Sequence, residues 1–330
     1  MTKASDSSLT PHVTLSGAAY SFPSRSASVD ELAAEGVLES SAEFLKDIGF
    51  SQIRTATTES PFTLALKSAR ALLDAQDVDP ESIGLLLYGG PQGPTAFVNA
   101  PTPELSEASV RTMARFRMPG TRLQHELGLL NAATIGLDQL ACTTLLVSVR
   151  VARALCLAEG IDRALCVTSE FFPVDAGRES IFSCTSDAAV AVLLERGGNR
   201  NRIIASSQVT KGYYWEAGEL RDQIIASYFP TAKHVINQTI ERAGWSHSDV
   251  DWVIPHNVST RSWEILIGLT GLSHARLWTE NIARVGHTLA GDNFINLADA
   301  LDSGEIEPGQ RLLLFSYGFG AHWTGLAIEA

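Results

Sequence analysis

The chain has 330 residues, 45% of them hydrophobic and 19% charged, with a formal net charge of −12. That composition fits one large globular domain or two packed halves, and the acidic balance disfavours nonspecific binding to nucleic acid or to an anionic membrane surface. No apolar run is read as reaching the roughly 18 residues of a spanning helix, and the opening MTKASDSSLTPHV lacks a signal-peptide core, so the expected location is the cytoplasm, with no membrane partner.

Along the chain, residues 12–20 read as a first strand and residues 60–75 show helical periodicity. The short apolar run 82–90, SIGLLLYGG, has the character of a buried strand. Residues 91–122 are rich in proline and small side chains, then carry Arg111, Arg115, Arg117 and Arg122. This stretch reads as a long surface excursion, of the kind that serves as a lid or contact surface. Residues 133–141 read as a short strand or loop. Behind them, 143–159 form a helix apolar almost all round and stopped by Gly160, which is the signature of a buried helix. Strands are expected at 163–171, 187–195, 249–257 and 311–318, a helix at 228–244 closed by Gly244, and a linker at 172–180. Strands alternating with helices predict an α/β fold with mostly parallel sheets.

One internal likeness organises this pattern. Residues 69–90 and 236–257, offset by 167, both read helix, polar turn, apolar strand. Two similar halves joined near residues 175–185 follow, with a site where they meet.

Four cysteines, Cys142, Cys156, Cys166 and Cys184, lie in apolar segments without CxxC spacing, which reads as reduced thiols without structural zinc. Cys142 differs from the others because it opens the buried helix. There, unpaired backbone N–H groups and the positive end of the helix dipole stabilise a thiolate. It stands as a packed thiol or as a nucleophile, and placement alone leaves both open. His256 follows an apolar strand at the end where α/β proteins place functional groups. His287 follows a glycine and opens another helix; Asp292, one turn further on, could orient it or act as a local hydrogen-bonding group. The segment 315–328, FSYGFGAHWTGLAI, places glycines where a backbone N–H can approach a ligand closely.

In order along the chain, 141-ACTT-144, 253-VIPHN-257, 285-VGHTLAGDN-293 and 308-PGQRLLLFSYGFGAHWTGLAI-328 resemble the β-ketoacyl-acyl-carrier-protein synthase III group of the thiolase-like condensing enzymes. The resemblance implies a thiolase-like α/β fold of two duplicated halves, residues 1–178 and 179–330, stacked as a layered α/β/α/β/α body that dimerises. It assigns Cys142 to carrying an acyl group and His256 to binding the second substrate. Gly320 would supply a backbone N–H that joins that of Cys142 in an oxyanion hole. It implies acyl carrier protein or coenzyme A thioesters as partners, with Arg261 at a position resembling a carrier contact and no cofactor or metal. Arg111 and Arg115, in a 91–122 segment longer than the pattern, could also serve a carrier protein's acidic surface. Two departures stand out. His287 occupies a position where the synthase III pattern has asparagine, giving a Cys–His–His set, and Phe44 stands where the pattern has a coenzyme-A-binding tryptophan. The resulting expectation is decarboxylative Claisen condensation of an acyl-Cys142 with a malonyl-type thioester, in a specialised natural-product pathway. The alternative is transfer of the acyl group to a hydroxyl or amine; a noncatalytic partner subunit ranks third.

Overall fold

The computed structural model describes residues 11–90, 118–172, 176–181 and 183–330. Arg111 and Arg115, with most of the 91–122 stretch, lie outside the described residues. The chain begins with β1 (Val13–Ser21), β2 (Arg25–Ser28), α1 (Val29–Ala34), α2 (Ala42–Asp47), β3 (Gln52–Thr55) and α3 (Pro61–Ala75). β4 (Leu85–Gly89), α4 (Pro119–Glu126), β5 (Ala133–Leu137), α5 (Thr144–Glu159) and β6 (Arg163–Glu170) follow. Then come β7 (Glu179–Ser180), β8 (Ser183–Cys184), β9 (Ala188–Arg196), β10 (Arg202–Thr210), α6 (Arg221–Arg242) and β11 (Trp252–Ile254). The last elements are α7 (Thr260–Thr270), β12 (Arg276–Leu277), α8 (Glu280–Val285), α9 (Asp292–Asp302), β13 (Arg311–Gly318) and β14 (His322–Glu329).

The large sheet runs β5-β4-β6-β9-β1 and then β10-β14-β13-β11-β12. The two five-strand runs have the same architecture and meet at one antiparallel pairing, Thr14 with Arg202. Within the first run β4 pairs parallel with β5 and β6, while β9 is antiparallel to β6 and β1. The second run repeats this with β11, β12, β13, β14 and β10. The sheets are therefore mixed rather than mostly parallel. β13 reaches β14 through a turn of residues 319–321, far too short for a helical crossover, and a short connection forces antiparallel pairing. In chain order β9 is the last strand of the first run, and β10, after residues 197–201, is the first strand of the second. Near the expected linker, Arg178 is buried and bonds both oxygens of buried Asp187.

Strand alternation sorts the core into layers. On β4, Leu85 and Leu87 face α5 and α9, while Leu86 faces α3 and α4. On β13, Leu312 and Leu314 face the same inner helices, while Leu313 and Phe315 face α6 and α7. The result is five layers, with α5 and α9 sandwiched between the two halves of the sheet. Ala141–Glu159 is apolar and long enough to cross a membrane, yet it is this central helix, and its apolar character is spent on packing both sheets. Gly160, at φ 72°, ends it. Helix α3 starts from a capping box between Ser60 and Thr63 with Pro61 in the first turn, and buries Leu64, Ala65, Ala69 and Leu72 along one stripe. The sequence offset of 167 recurs in detail. The single-turn helices Pro80–Ser82 and His247–Asp249 match, as do the left-handed residues Asp77 and Gly244 before them. Helix α6 starts at Arg221, earlier than expected, and passes through Pro230.

Candidate active site

Cys142 lies in a single 3-10 turn, Ala141–Thr143, that leads into α5. Ala141 has φ 44°, a costly conformation for a side chain with a Cβ, and it turns the chain sharply before the helix. Ser316 from β13 donates to the Cys142 carbonyl at 3.0 Å, tying the turn to the second half. Cys142 is 6% exposed and opens onto a narrow cavity of about 40 Å³ that His256, His287, Tyr228, Tyr317 and Phe319 also line.

His287 reaches this cavity because its backbone is clamped. Its N–H donates to the Cys184 carbonyl and its carbonyl accepts from Ser186 N–H, both at 2.8 Å. The preceding Gly286, at φ 67°, passes so close to that segment that a Cβ would lie 2.7 Å from the Cys184 oxygen, so only glycine fits. The His287 ring bridges two partners, with Nε2 3.3 Å from Cys142 Sγ and Nδ1 2.5 Å from Asp292 Oδ2. Asp292 is fully buried and held on every side. Its Oδ2 also accepts from Asn257 N–H, and its Oδ1 accepts from the Thr288 N–H and hydroxyl, at 2.6 to 2.7 Å. Burial is the largest single influence on His287 and disfavours its proton. The Asp292 carboxylate and the Cys142 sulfur together outweigh burial and raise the imidazole well above its ordinary value. A cation at this position stabilises a thiolate.

His256 follows β11 and is fixed through its backbone. Trp263 Nε1 donates to its carbonyl, Asn296 donates to the Pro255 carbonyl, and Asn293 donates to the carbonyls of Ile254 and Phe315. Its ring packs edge-on against Trp263 and Phe315, with centroids 5.6 and 5.9 Å away, and lies 6.3 Å from the His287 ring. Neither ring nitrogen has a hydrogen-bond partner among the described residues. Burial, and then the charge on His287, hold it down to about 3, so the ring is neutral.

The glycine turn passes close to the Cys142 turn. A Cβ on Gly318 would lie 3.0 Å from Cys142 N and 2.5 Å from the Leu140 oxygen, so Gly318 is the residue pressed against the nucleophile's amide. A Cβ on Gly320, at φ 83°, would meet the His322 ring at 2.8 Å and lie 3.9 Å from the Gln139 oxygen. Arg261, near the start of α7, lines a wider outer cavity with Arg221, Phe44, Ile265, Glu179 and Asp47. Phe44 is 51% exposed there, and Lys46 is paired with Asp30 at 2.6 Å. Cys156, Cys166 and Cys184 are buried thiols that burial pushes upward, the first to about 11, which marks them as packing residues.

Sequence reasoning passed over two features. Glu170, at the end of β6, is 1% exposed, and neither carboxyl oxygen is hydrogen-bonded among the described residues. Burial, and then the Cys142 charge, push it well above the carboxylate range, against the pull of His287. An acid ending an otherwise apolar strand was the available signal. The second feature is the pair of tyrosines in the cavity.

Fold and site together define a thiolase-fold condensing enzyme. The sequence model described as 3-oxoacyl-[acyl-carrier-protein] synthase III matches residues 138–212, and its C-terminal counterpart matches residues 240–330. A beta-ketoacyl-[acyl-carrier-protein] synthase III of Neisseria meningitidis serogroup C is 25% identical over 338 residues, covering 96% of this chain and 98% of that protein. Beta-ketoacyl-[acyl-carrier-protein] synthase III 2 of Streptomyces coelicolor is 30% identical over 234 residues, covering 64% of this chain and 68% of that protein. Among solved structures, FabH from Pseudomonas aeruginosa superposes with a TM-score of 0.77 at 22% identity, over 96% of this chain and 98% of that one. ChlB3, described as an acyltransferase, superposes with a TM-score of 0.81 at 19% identity, over 97% and 98%. The chain belongs to the 3-oxoacyl-[acyl-carrier-protein] synthase III family.

Proposed function

We propose that this chain is an acyltransferase that takes an acyl group from a carrier-protein or coenzyme A thioester onto Cys142 and delivers it to a hydroxyl or amine. The observation that carries the reading is the line Cys142–His287–Asp292. In the first half-reaction the Cys142 thiolate attacks the thioester carbonyl, and the leaving thiolate takes a proton from His287 Nε2. Backbone N–H groups of Cys142 and of the Gly318–Phe319 turn are the candidates for holding the oxyanion. His287 is then neutral. Asp292 keeps the remaining proton on Nδ1, so Nε2 presents a lone pair to the cavity. A lone pair there is a general base: it removes a proton from an approaching O–H or N–H, the acceptor attacks the thioester, and Cys142 leaves as thiolate.

The second reading is decarboxylative condensation with a malonyl-type thioester, as the family's description implies. It is favoured by His256, whose neutral ring has both nitrogens free and can donate to an enolate oxygen. In this reading Nε2 of His287 lacks the proton that a second donor would need, which ranks it below the first. The replaced coenzyme-A-binding tryptophan suits a specialised pathway and a carrier-borne donor, with Arg261 at the carrier's docking edge. Homodimerisation through the exposed edge strand β5 completes the proposal. The noncatalytic-subunit reading loses ground because the chain retains the nucleophile together with a hydrogen-bonded base.

The test is mass spectrometry of the intact protein after incubation with butyryl-carrier and butyryl-coenzyme A. A butyryl mass on Cys142, and on no other cysteine, is expected; no adduct with any donor would sink the proposal. Adding malonyl-carrier then separates the two readings, because release of carbon dioxide with a 3-oxoacyl product establishes condensation.

A further inference from the structure

The cavity at Cys142 carries two tyrosines that the mechanism above does not use. Tyr228 comes from α6 and Tyr317 from the end of β13, and both line the cavity with Cys142, His256 and His287. Their rings meet edge to face, with centroids 5.5 Å apart, and Trp323 supports Tyr317 at 4.9 Å. The packing fixes the rings but leaves the Tyr317 hydroxyl unused: it is buried with no hydrogen-bond partner among the described residues. Tyr228 lines the same cavity beside it. A buried phenol without a partner costs free energy that a phenylalanine would avoid, and Tyr hydroxyls normally find a partner when buried. Burial first, and second the charge of Tyr317 on Tyr228 and of Cys142 on Tyr317, push both phenols upward, so both remain neutral O–H groups.

We propose that the Tyr228 and Tyr317 hydroxyls form a hydrogen-bonding site for an uncharged oxygen of a substrate held beside Cys142, a carbonyl or hydroxyl oxygen distinct from the reacting atoms. No lysine or arginine is among the described residues lining this cavity. An anion brought there would face a desolvation cost without a cation to offset it, so the site suits a neutral group. Two parts of the substrates offer such an oxygen: an amide carbonyl of the pantetheine arm on the donor, and a second oxygen on the acceptor. The inference uses the acyl-Cys142 reading to place the substrates, while the unpartnered Tyr317 hydroxyl stands independently of it.

The experiment compares Tyr228→Phe, Tyr317→Phe and the double variant with the parent. Phenylalanine keeps the ring packing, and equal thermal midpoints confirm intact folds. One arm follows acylation of Cys142 by butyryl-pantetheine. A second follows release of the butyryl group by ethylene glycol and by ethanol, which differ by one oxygen. A third measures butyryl-pantetheine binding to Cys142→Ala, with and without the tyrosine changes, and so needs no acylation. Each lost hydroxyl is expected to weaken the affected step about 3- to 10-fold. A rise in KM for acylation, with weaker binding in the third arm, assigns the oxygen to the donor arm. Loss of a preference for ethylene glycol over ethanol assigns it to the acceptor. Unchanged values in all three arms overturn the proposal. If the parent takes no acyl group but the third arm still weakens, the tyrosine site stands and the proposed function falls.

Discussion

The two halves of the molecule build the same backbone device and put different chemistry on it. In the first half, Ala141 at φ 44° opens a 3-10 turn that leads into α5; in the second, Leu289 at φ 58° opens a 3-10 turn that leads into α9. Counted from that strained residue, Cys142 and Ala290 occupy the same place, and Thr144 matches Asp292. Both helices lie between the sheets, so each half offers a helix start at the middle of the molecule. One start carries Cys142, the proposed nucleophile. The other carries buried Asp292, which bonds His287 Nδ1. Under the proposed function, the difference would turn a symmetric scaffold into a directional reaction path, because Cys142, His287 and Asp292 lie in one hydrogen-bonded line that crosses from the first half to the second.

The largest predicted effect breaks that asymmetry outright. Cys142→Ala should lower acyl transfer by about 10³-fold or more, and Ala290→Cys in the same protein should gain no acyl mass by intact-protein spectrometry. Next, Asp292→Asn should cost about 10²- to 10⁴-fold in turnover, because an amide does not hold His287 in the tautomer that frees Nε2. It should also lower the His287 pKa and move the pH profile of Cys142 alkylation by iodoacetamide. His287→Asn sharpens the choice of reaction. Transfer to an alcohol should fall about 10²-fold or more, whereas carbon dioxide release from malonyl-carrier would persist in a condensing enzyme.

Smaller effects come from the buried titratable groups on either side of the line. His256 is neutral when folded and ordinary when unfolded, so the unfolded chain binds the extra proton between pH 6.5 and about 3. Stability should therefore fall as pH drops through that window, by up to about 1.4 kcal/mol per pH unit. His256→Phe should flatten the slope in urea titrations. Glu170 has the opposite sign. Its folded value lies well above 4.5, so the folded chain holds the proton and stability declines as pH rises above that point. Glu170→Gln should remove this alkaline loss and stabilise the protein at neutral pH. The smallest effect is expected at the rim. Arg261→Ala should raise the KM for a carrier-borne donor a few-fold, less at high salt, with kcat unchanged.

Much of this was legible in the chain. Hydrophobic runs located α3, α5, β4, β6, β9 and β13, and the offset of 167 marked the duplication. Ordered motifs named Cys142, His256 and His287, which the fold brings around one cavity. Asp292 was visible as a candidate for orienting His287, but its sequence distance did not distinguish that role from local helix capping. Only the three-dimensional path of the 287–292 turn aims its Oδ2 at the ring. The close approach of Gly318 to Cys142 N went unremarked because it depends on how β13 is seated against a residue far away in sequence. The mixed strand directions escaped for a similar reason: apolar runs report burial, and connection geometry decides direction. Tyr228 and Tyr317 come from a helix and a strand with no shared motif, so only their meeting across the cavity marks them.

The bond between Cys142 and His287 joins residues 145 positions apart. Contacts of such long sequence separation close late in folding, after the entropy of a long loop has been lost. Strands β4, β5, β6 and β9 pair with nearer partners, whereas β1 closes on β9 from as far away in sequence as Val13 is from Arg196. The Cys142–His287 contact exists only once the halves are docked. Chemical reactivity of Cys142 is thus a clock for the final assembly step. During refolding from urea, sheet signals should recover first, and fast alkylation at neutral pH should recover last.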